Sequence, residues 1–175
     1  MPDVILVNTE NEPIGTMEKV EVHQKGLLHR AFSIFIFNDN GDMLLQQRSL
    51  SKYHSGGLWS NTCCSHPAPG EELMESALKR LKEEMGFTTE LTEVFSFIYR
   101  MEFENGLTEH EYDHVFIGRY NGEIYPDNTE VRDHCFMSME DLRSSINLFP
   151  RKYTAWFRIA FPQLETHLAA QLTDA

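Results

Sequence analysis

The sequence predicts one α+β domain of layered α/β type that spans residues 1–175, and three observations support this prediction. The chain has 175 residues, enough for one domain and too few for two ordinary ones. Hydrophobic residues make up 41% of it, which is enough to fill a core and excludes a disordered tail. Strand-like segments that meet at turn signals outnumber helical segments, with no repeat, low-complexity run or linker among them.

The first part of the chain is predicted to form strands. Val4–Asn8 has strand composition and is followed by a turn-prone Asn-Glu-Pro at 11–13. Ala31–Asn38 is rich in Phe and Ile and ends in Asn-Asp-Asn-Gly at 38–41, which favours a turn. Met43–Gln47 is then expected to return beside it as the second arm of a hairpin.

The middle of the chain is predicted to contain a helix and a second hairpin. In Glu71–Met85 apolar residues recur every four positions on one face, and Gly86 is well placed to end an amphipathic helix. Leu91–Phe103 and Thr108–Tyr120 flank an Asn-Gly pair at 105–106, which is a strong hairpin signal. These two segments are therefore predicted to pair with each other as strands.

The C-terminal part is predicted to contain one more strand and two helices. An Asn-Gly turn at 121–122 precedes a predicted strand over Val131–Ser138. Met139–Leu148 and Tyr153–Leu172 are predicted to be helical. Because proline removes a helical hydrogen bond, the second helix is expected to be interrupted near Pro162.

Charge excludes several classes of function. The chain carries 27 acidic and 15 basic side chains, which give a formal net charge of −12 and a pI near 5.0. That balance argues against binding to nucleic acid or to an anionic membrane. Taken alone, it also argues against an anionic substrate.

Targeting signals and cysteines point to one compartment. The apolar run at the N-terminus is too short for a secretory signal, and nowhere do 18 apolar residues run together, so no transmembrane helix is expected. Three cysteines, two of them adjacent at 63 and 64, make a poor disulfide framework. We therefore expect reduced thiols and a cytoplasmic protein.

Histidine and glutamate side chains suggest a metal site. Six of the eight histidines lie between positions 23 and 114, although each alone is more often a surface or hydrogen-bonded residue. His23 and His29 bracket a glycine turn, and His66 lies in a loop before the predicted helix. Glu109 and Glu111 are two apart on a predicted strand, so both face the same side. Imidazole nitrogen and carboxylate oxygen together form a ligand set for a divalent transition metal.

Cys64 is the second candidate for a residue with a chemical role. It lies two residues before His66, and its thiol could be a metal ligand, a nucleophile or a proton-transfer group. Most free cysteines instead act as small buried hydrophobic residues. Cys63 and Cys135 have no such context, and we expect both to pack in the core.

Six motifs in order along the chain identify a family. They are Glu18-Lys19 followed by His23, Leu-His-Arg-Ala-Phe-Ser at 28–33, Gln-Arg-Ser-Leu-Ser-Lys at 47–52, Gly-Leu-Trp-Ser-Asn-Thr-Cys-Cys-Ser-His-Pro at 57–67, Glu-His-Glu at 109–111, and Trp156. Over nearly its whole length the chain closely resembles the type 1 isopentenyl-diphosphate isomerases. The resemblance implies the Nudix fold, with mixed β-sheets sandwiched between helices.

The Nudix signature itself is degenerate in this chain. Aligned on Glu83 and Glu84, it places Ser65 at its first glycine, Lys79 at its arginine and Arg80 at its next glutamate. In Nudix hydrolases that glutamate and the two matching Glu83 and Glu84 hold the catalytic metals. An arginine there removes a ligand and adds a cation, which argues against diphosphate hydrolysis.

The resemblance also implies a set of site residues. A metal centre for Mn²⁺, Mg²⁺ or Zn²⁺ would have five ligands, namely His23, His29, His66, Glu109 and Glu111. A second Mg²⁺, bound with the help of Glu84, would bridge to a substrate diphosphate that is contacted by Lys19, Arg48, Lys52 and Arg80. Cys64 would face Glu111 and Tyr99 across a five-carbon chain. The π face of Trp156 would stabilise a cation.

The implied reaction interconverts isopentenyl and dimethylallyl diphosphate, in isoprenoid biosynthesis, by protonation and deprotonation through a tertiary carbocation. It needs an acid and a base on opposite faces, matching Cys64 against Glu111 and Tyr99, in an order that the sequence leaves open. The partner would be a small prenyl diphosphate, bound by a chain that we expect to be a monomer. An acidic chain can bind this anion where a few cationic side chains and metals outweigh the surface charge.

Two alternative functions stay open on the sequence. A metal-dependent Nudix diphosphohydrolase would release phosphate, whereas an isomerase would release none. A zinc-stabilised, non-enzymatic binding module built on His23, His29, His66 and Cys64 would unfold when its metal is chelated.

Overall fold

Nine strands and four α-helices make up the fold over the residues that the computed structural model describes, 3–52 and 54–173. In chain order these elements are β1 (Asp3–Val7), β2 (Pro13–Glu18), α1 (Lys19–Lys25), β3 (His29–Phe37), β4 (Met43–Arg48), β5 (Trp59–Ser60), β6 (Cys63–Ser65), α2 (Leu73–Met85), β7 (Leu91–Glu102), β8 (Thr108–Arg119), β9 (Val131–Met137), α3 (Met139–Leu148) and α4 (Ala155–Thr173). A 3₁₀ turn over Pro150–Lys152 joins α3 to α4. Residues 1, 2, 53, 174 and 175, which belong to the predicted domain 1–175, lie outside this description.

Strand β3 lies at the centre of the mixed sheet. It pairs in parallel with β8 along its whole length, beginning with His29 beside Glu111. Strand β8 in turn pairs antiparallel with β7, as the predicted hairpin requires. On its other side β3 pairs antiparallel with β6, where Ser33 lies beside Cys64. The segment expected to be a loop around Cys64 is therefore partly a strand, and His66 follows directly after it.

The hairpin predicted for β3 and β4 forms only at its turn. The two strands pair at Phe37 and Met43 and then separate, since β4 pairs with β5 and β9 instead. Strand β5 pairs with β4 and β6 pairs with β3, so that the segment 59–65 fills the opening. This opening brings the cysteine motif into the middle of the sheet.

Alternate residues of β3 face two different apolar clusters. The side chains at 32, 34 and 36 pack with the buried face of α2, which confirms the predicted amphipathic helix. On the opposite face of the sheet, Phe35 stacks on Phe157 of α4. Because side chains alternate along a strand, His29 and Ser33 share the α4 side of the sheet with Phe35.

Besides the short strands β5 and β6, β2 and α1 have no counterpart among the sequence predictions. Strand β2 lies at the edge of the sheet and is mostly exposed, so it carries no apolar pattern. Helix α1 has seven residues, too few for a periodic signal, and short helices depend on tertiary contacts. The Glu18 side chain accepts a hydrogen bond from the backbone N–H of Glu21 at its start, and Gly26 ends it in the left-handed conformation. This helix carries His23 into the site.

The predicted interruption of the last helix is wrong. Helix α4 continues from Ala155 to Thr173 through Pro162. The proline removes one N–H, but the buried side chains of Phe161 and Leu164 hold the helix on the sheet, so packing outweighs the local loss. Neither α4 nor any other helix of the described residues combines the length and apolar character needed to cross a membrane.

Candidate active site

A chamber of about 100 Å³ lies beside β3, β6 and β8. All the predicted site residues line it except His23 and His29. Its walls are formed by Lys19, Phe32, Ser33, Arg48, Lys52, His54, Cys64, Ser65, His66, Arg80, Glu84, Tyr99, Glu109, Glu111, Asp113, Glu130 and Trp156. His23 and His29 are completely buried and contact the lining residues Glu109 and His66. The structure therefore brings the predicted set into one region.

Three predicted histidine ligands form a compact cluster. His23 on α1, His29 at the start of β3 and His66 after β6 have ring centroids 4.9 to 5.9 Å apart. One ring nitrogen from each lies within 4.8 Å of the other two. His66 is distant in sequence from the other two, so the cluster depends on the pairing of β3 with β6 and on the position of α1.

Two of these three histidines are neutral, whereas the hydrogen bond and charge of Glu109 raise the pKa of His23 against the opposing effect of burial. Backbone carbonyls accept hydrogen bonds from Nδ1 of His23 and of His29, which leaves Nε2 of each ring to face the cluster. Burial lowers the pKa of both His29 and His66 to about 3, so both rings are neutral. Their Nε2 atoms are buried without a hydrogen-bond partner in the structure, which is the arrangement expected of ligands.

Glu109 and Glu111 face the cluster from β8. Both are buried, as their alternation on the strand predicts. Burial alone would raise the pKa of Glu109, but the hydrogen bonds and charges of His23 and His54 hold that pKa well below its usual range. Glu111 Oε2 lies 3.4 Å from His66 Nε2. The five predicted ligands thus form one contiguous group.

Tyr99 lies between the two carboxylates. Its hydroxyl lies 2.9 Å from Glu109 Oε2 and 2.6 Å from Glu111 Oε1. One phenolic proton cannot be donated to both at once, and the shorter distance favours Glu111. Burial raises the pKa of Tyr99 well above its ordinary value, so the proton stays on the phenol. The donor set of buried imidazole and carboxylate therefore fits a divalent ion.

Cys64 presents a protonated thiol to the chamber. It lies on β6, where its Sγ donates to Asn61 Oδ1 at 3.1 Å and lies 3.5 Å from Ser33 Oγ. Burial, reinforced by the charge of Asp113, raises the pKa of the Cys64 thiol to about 12. Cys63 packs in the core as predicted, and Cys135 is partly buried against the second apolar cluster.

Arg80 binds the carboxylates around it. Its guanidinium donates to Glu83 at 2.6 Å, to Glu84 at 2.8 Å and to Glu130 at 2.9 Å. These carboxylates raise its pKa against the opposing effect of burial. Glu84, expected to bind a second Mg²⁺, also accepts from the side-chain amide of Gln46 at 3.1 Å. Glu84 thus lies in the chamber wall with Arg80, apart from the histidine cluster.

The other expected phosphate-binding residues lie at the chamber with few fixed partners. Lys52 Nζ is 3.8 Å from Glu130 Oε1. Burial, together with the positive charge of Lys52, lowers the pKa of Lys19. The Arg48 guanidinium lies 5.0 Å from the centre of the Trp156 ring, whose Nε1 donates to Ser60 Oγ. Trp156 is 5% exposed and so presents a largely dehydrated ring to the site.

Sequence reasoning missed three residues of the chamber. Asp113 follows Glu111 by two positions on the same face of β8, so the alternation of the strand could have revealed it. Glu130 precedes β9 and meets Arg80 only in the folded chain. His54 lies in the loop between β4 and β5 with its Nε2 2.9 Å from Glu109 Oε1, and burial lowers its pKa. A single histidine in a loop gives no sequence signal.

Comparison with known proteins identifies a family. Residues 27–157 match the NUDIX domain. An isopentenyl-diphosphate Delta-isomerase of Pectobacterium atrosepticum is 46% identical over 172 residues, which cover 97% of this chain and 95% of the relative. An isopentenyl-diphosphate Delta-isomerase of Burkholderia multivorans is 51% identical over 154 residues, which cover 88% of each protein.

Solved structures show the same fold at lower identity. A crystal structure of a Deinococcus radiodurans protein has a TM-score of 0.77 at 16% identity and covers 92% of this chain and 98% of that one. A C. elegans Ap4A hydrolase has a TM-score of 0.58 at 19% identity, with 81% and 98% covered. The fold and the family expected from the six motifs are thus confirmed. The domain match and the relatives over most of its length show that this chain belongs to the isopentenyl-diphosphate Delta-isomerases of the NUDIX family.

Proposed function

We infer that the chain interconverts isopentenyl and dimethylallyl diphosphate in isoprenoid biosynthesis, with Cys64 and the Glu111–Tyr99 pair as its two proton-transfer groups. One observation carries the assignment of these groups. A thiol on β6 and a carboxylate on β8, the strands on either side of β3, line the same chamber. The two diphosphates differ only in the position of one double bond, so their interconversion adds one proton and removes another.

The chemistry requires both groups at once. A proton added to the terminal alkene carbon leaves a tertiary carbocation, and loss of a proton from the neighbouring CH₂ group forms the internal double bond. A group that has delivered its proton in one direction is ready to accept it in the other, so Cys64 and Glu111 exchange roles when the reaction reverses. The Tyr99 hydroxyl holds Oε1 of Glu111 at 2.6 Å and fixes the direction of that carboxylate.

The chamber also protects the cation. Water would trap a tertiary carbocation as an alcohol, so the reacting atoms must be kept dry. Tyr99 and Trp156 are both nearly buried, with 6% and 5% exposure. A cation over the indole face of Trp156 gains about 0.5–2 kcal/mol.

Metal ions complete the charge of the site. His23, His29, His66, Glu109 and Glu111 would hold a divalent ion, Mn²⁺, Mg²⁺ or Zn²⁺, which when bound supplies positive charge next to the Glu111 carboxyl. Four basic side chains and five carboxylates line the chamber, so protein charge alone does not favour a diphosphate. Glu84 would help hold a second Mg²⁺, which would reverse that balance, while Lys19, Arg48, Lys52 and Arg80 would contact the phosphate oxygens.

The position of Arg80 supports isomerisation over hydrolysis. Its guanidinium donates to three carboxylates, Glu83, Glu84 and Glu130, two of which match metal ligands of Nudix hydrolases. We therefore expect no phosphate release from either substrate.

The active unit in this proposal is one chain in the cytoplasm. The monomer expected from the sequence can be tested by analytical ultracentrifugation. Cys63, Cys64 and Cys135 are free thiols, which supports the reducing compartment expected from the sequence.

The test follows the reaction by NMR in D₂O with isopentenyl diphosphate and Mg²⁺. The wild-type chain should form the dimethylallyl isomer with deuterium uptake, and Cys64→Ala and Glu111→Gln should each lose about 10²–10⁴-fold in kcat because a proton-transfer group is removed. Cys135→Ala, which removes a thiol outside the chamber, should match wild type. Near-wild-type turnover in either of the first two variants would show that its assigned role is wrong.

A further inference from the structure

His54 contacts the expected metal centre without belonging to any of the motifs. We propose that His54 is a positioning residue of this centre, which holds the Glu109 carboxylate in place and ties it to the loop that carries the phosphate-binding residues. This inference rests on the metal centre proposed above.

The hydrogen bonds of His54 define its role. Its Nε2 lies 2.9 Å from Glu109 Oε1, and because an ionised carboxylate only accepts, Nε2 carries the proton. Its Nδ1 lies 3.2 Å from Ser55 Oγ and can accept the hydroxyl proton. His23 also reaches Glu109 through Nε2, but its Nδ1 must donate to the Lys19 carbonyl, so its neutral ring keeps the Nε2 lone pair for a metal. His54 can accept at Nδ1 and keep its proton on Nε2, so the geometry assigns His54 to orienting Glu109 and not to binding the ion itself.

Glu109 depends on its neighbours to fix its orientation. Oε1 lies 3.0 Å from His23 Nε2 and 2.9 Å from His54 Nε2, while Oε2 lies 2.9 Å from the Tyr99 hydroxyl, whose single proton is closer to Glu111. His23 is itself an expected ligand, so a bound ion would compete for its Nε2. His54 then remains as the donor to Oε1, and loss of His54 would free the carboxylate to rotate. Donors behind a metal ligand typically raise metal affinity 10–100-fold.

The ring of His54 is itself fixed by packing. It stacks on Phe103 at 4.8 Å with an interplanar angle of 11°, and its edge meets Trp156 at 5.6 Å. Its backbone carbonyl accepts from the Arg48 guanidinium at 3.3 Å. His54 and Lys52 share the loop that follows Arg48, so this histidine joins the metal centre to the residues expected to bind the diphosphate.

Metal affinity tests the proposal without relying on turnover. The metal-free full-length chain is titrated with Zn²⁺ against a chromophoric chelator as wild type, H54F, H54Q and H167F. H54F keeps a flat ring on Phe103 but removes the donor, and we expect its Zn²⁺ affinity to fall about 10–100-fold. H54Q places an amide donor near Nε2 and should restore most of the affinity. H167F changes a histidine of α4 outside the chamber and should match wild type.

A double-mutant cycle separates an effect through Glu109 from general damage. H54F should cause no further loss of Zn²⁺ affinity in an E109Q background, since the group on which His54 acts has changed. H54L gives the same comparison with a smaller side chain if H54F does not fold. Additive losses in this cycle would overturn the proposal.

Two further outcomes distinguish the possible failures. If the wild-type chain binds Zn²⁺ and H54F binds it equally well, His54 has no positioning role while the metal centre stands. If the wild-type chain binds no Zn²⁺, the proposed centre itself fails. In the Zn²⁺-loaded protein, ¹⁵N NMR that finds His54 Nε2 protonated supports positioning, whereas an unprotonated Nε2 bound to the metal would make His54 a ligand and overturn it.

Discussion

Asp113 shows how the site uses a residue that no motif marks. Its Oδ2 accepts from Ser33 at 2.7 Å, and the same hydroxyl lies 3.5 Å from the Cys64 sulfur. Its Oδ1 is buried without a hydrogen-bond partner in the structure. Burial raises the pKa of Asp113 to about 7, and the charge of Glu109 adds to this against the hydrogen bond from Ser33. A buried carboxyl of this kind weakens the fold whenever it ionises.

Asp113→Asn should therefore stabilise the metal-free protein at alkaline pH. The pKa of Asp113 is about 7 when folded and near 3.8 when unfolded, so its favourable contribution is complete below the lower value and is lost as the pH rises through the higher one. Asparagine stays neutral, so relative to wild type the variant should gain up to about 4 kcal/mol between about pH 4 and pH 8. Urea unfolding at both pH values measures this, and a pH-independent difference would contradict it.

Lys52→Ala should act on substrate binding and leave the fold intact. The Lys52–Glu130 ion pair is partly exposed and 3.8 Å long, so it contributes little to stability. Loss of the lysine contact with the diphosphate should raise KM by about tenfold, equivalent to about 1.4 kcal/mol of binding free energy, with kcat nearly unchanged. Steady-state kinetics of Lys52→Ala and of the surface control Lys25→Ala check this. An unchanged KM in Lys52→Ala would remove it from the phosphate site.

At the scale of elements, the end of α2 is set by a close approach of two backbones. Gly86 has φ of 80°, and a Cβ added there would lie 2.4 Å from the Tyr125 carbonyl oxygen. The N–H of Tyr125 donates to the Met85 carbonyl, so the chain is held against the end of the helix. The sequence predicted a glycine cap here but not the neighbour that excludes every larger residue.

Gly86→Ala should consequently cost more than Gly41→Ala. Both glycines have φ of 80°, but a Cβ on Gly41 meets nothing within 4 Å. Gly41→Ala should cost only the left-handed backbone strain, about 1 kcal/mol, and Gly86→Ala about 2–4 kcal/mol because the backbone of Tyr125 must also move. Chemical unfolding of both variants measures the difference. Equal losses would show that backbone strain alone accounts for the effect.

At the scale of the whole molecule, most of the core lies outside the expected metal centre. Two apolar clusters on opposite faces of the sheet contain the largest buried side chains; Tyr99 and Trp156 belong to one of them, but none of the expected metal ligands belongs to either. Chelation should therefore abolish isomerisation while circular dichroism changes little, although the thermal unfolding temperature should fall because the metal binds only the folded chain. Unfolding on chelation would instead indicate the zinc-stabilised binding module considered from the sequence.

Most of the fold followed from local patterns, and the misses have physical causes. Apolar periodicity predicted α2, and the Asn-Gly turn at 105–106 predicted the β7–β8 hairpin. Strand β2 was missed because it is an exposed edge, and α1 because it is too short to carry a pattern. Helix α4 was expected to break at Pro162, and the burial of Phe161 and Leu164 keeps it whole.

The candidate site also contains residues that the sequence predicted and residues that it did not. The motifs, through the family they resemble, predicted the histidine and glutamate cluster, Cys64 and Tyr99, and alternation on β8 correctly placed Glu109 and Glu111 on one face. His54, Asp113 and Glu130 lie in the same chamber, but each is defined by a partner far away in sequence.

The sequence by itself determined the family, the chemistry available and the side of β8 shared by Glu109 and Glu111, because residue type and period are local properties of a chain. Only the tertiary structure decided that Glu130 joins Glu83 and Glu84 around Arg80, that β3 and β4 separate to admit the cysteine motif, and that His54 lies beside Glu109. Glu130 is 50 positions from Arg80, and Glu109 is 55 positions from His54. Their geometry depends on how the sheet, α1 and α4 pack together, which no local pattern records.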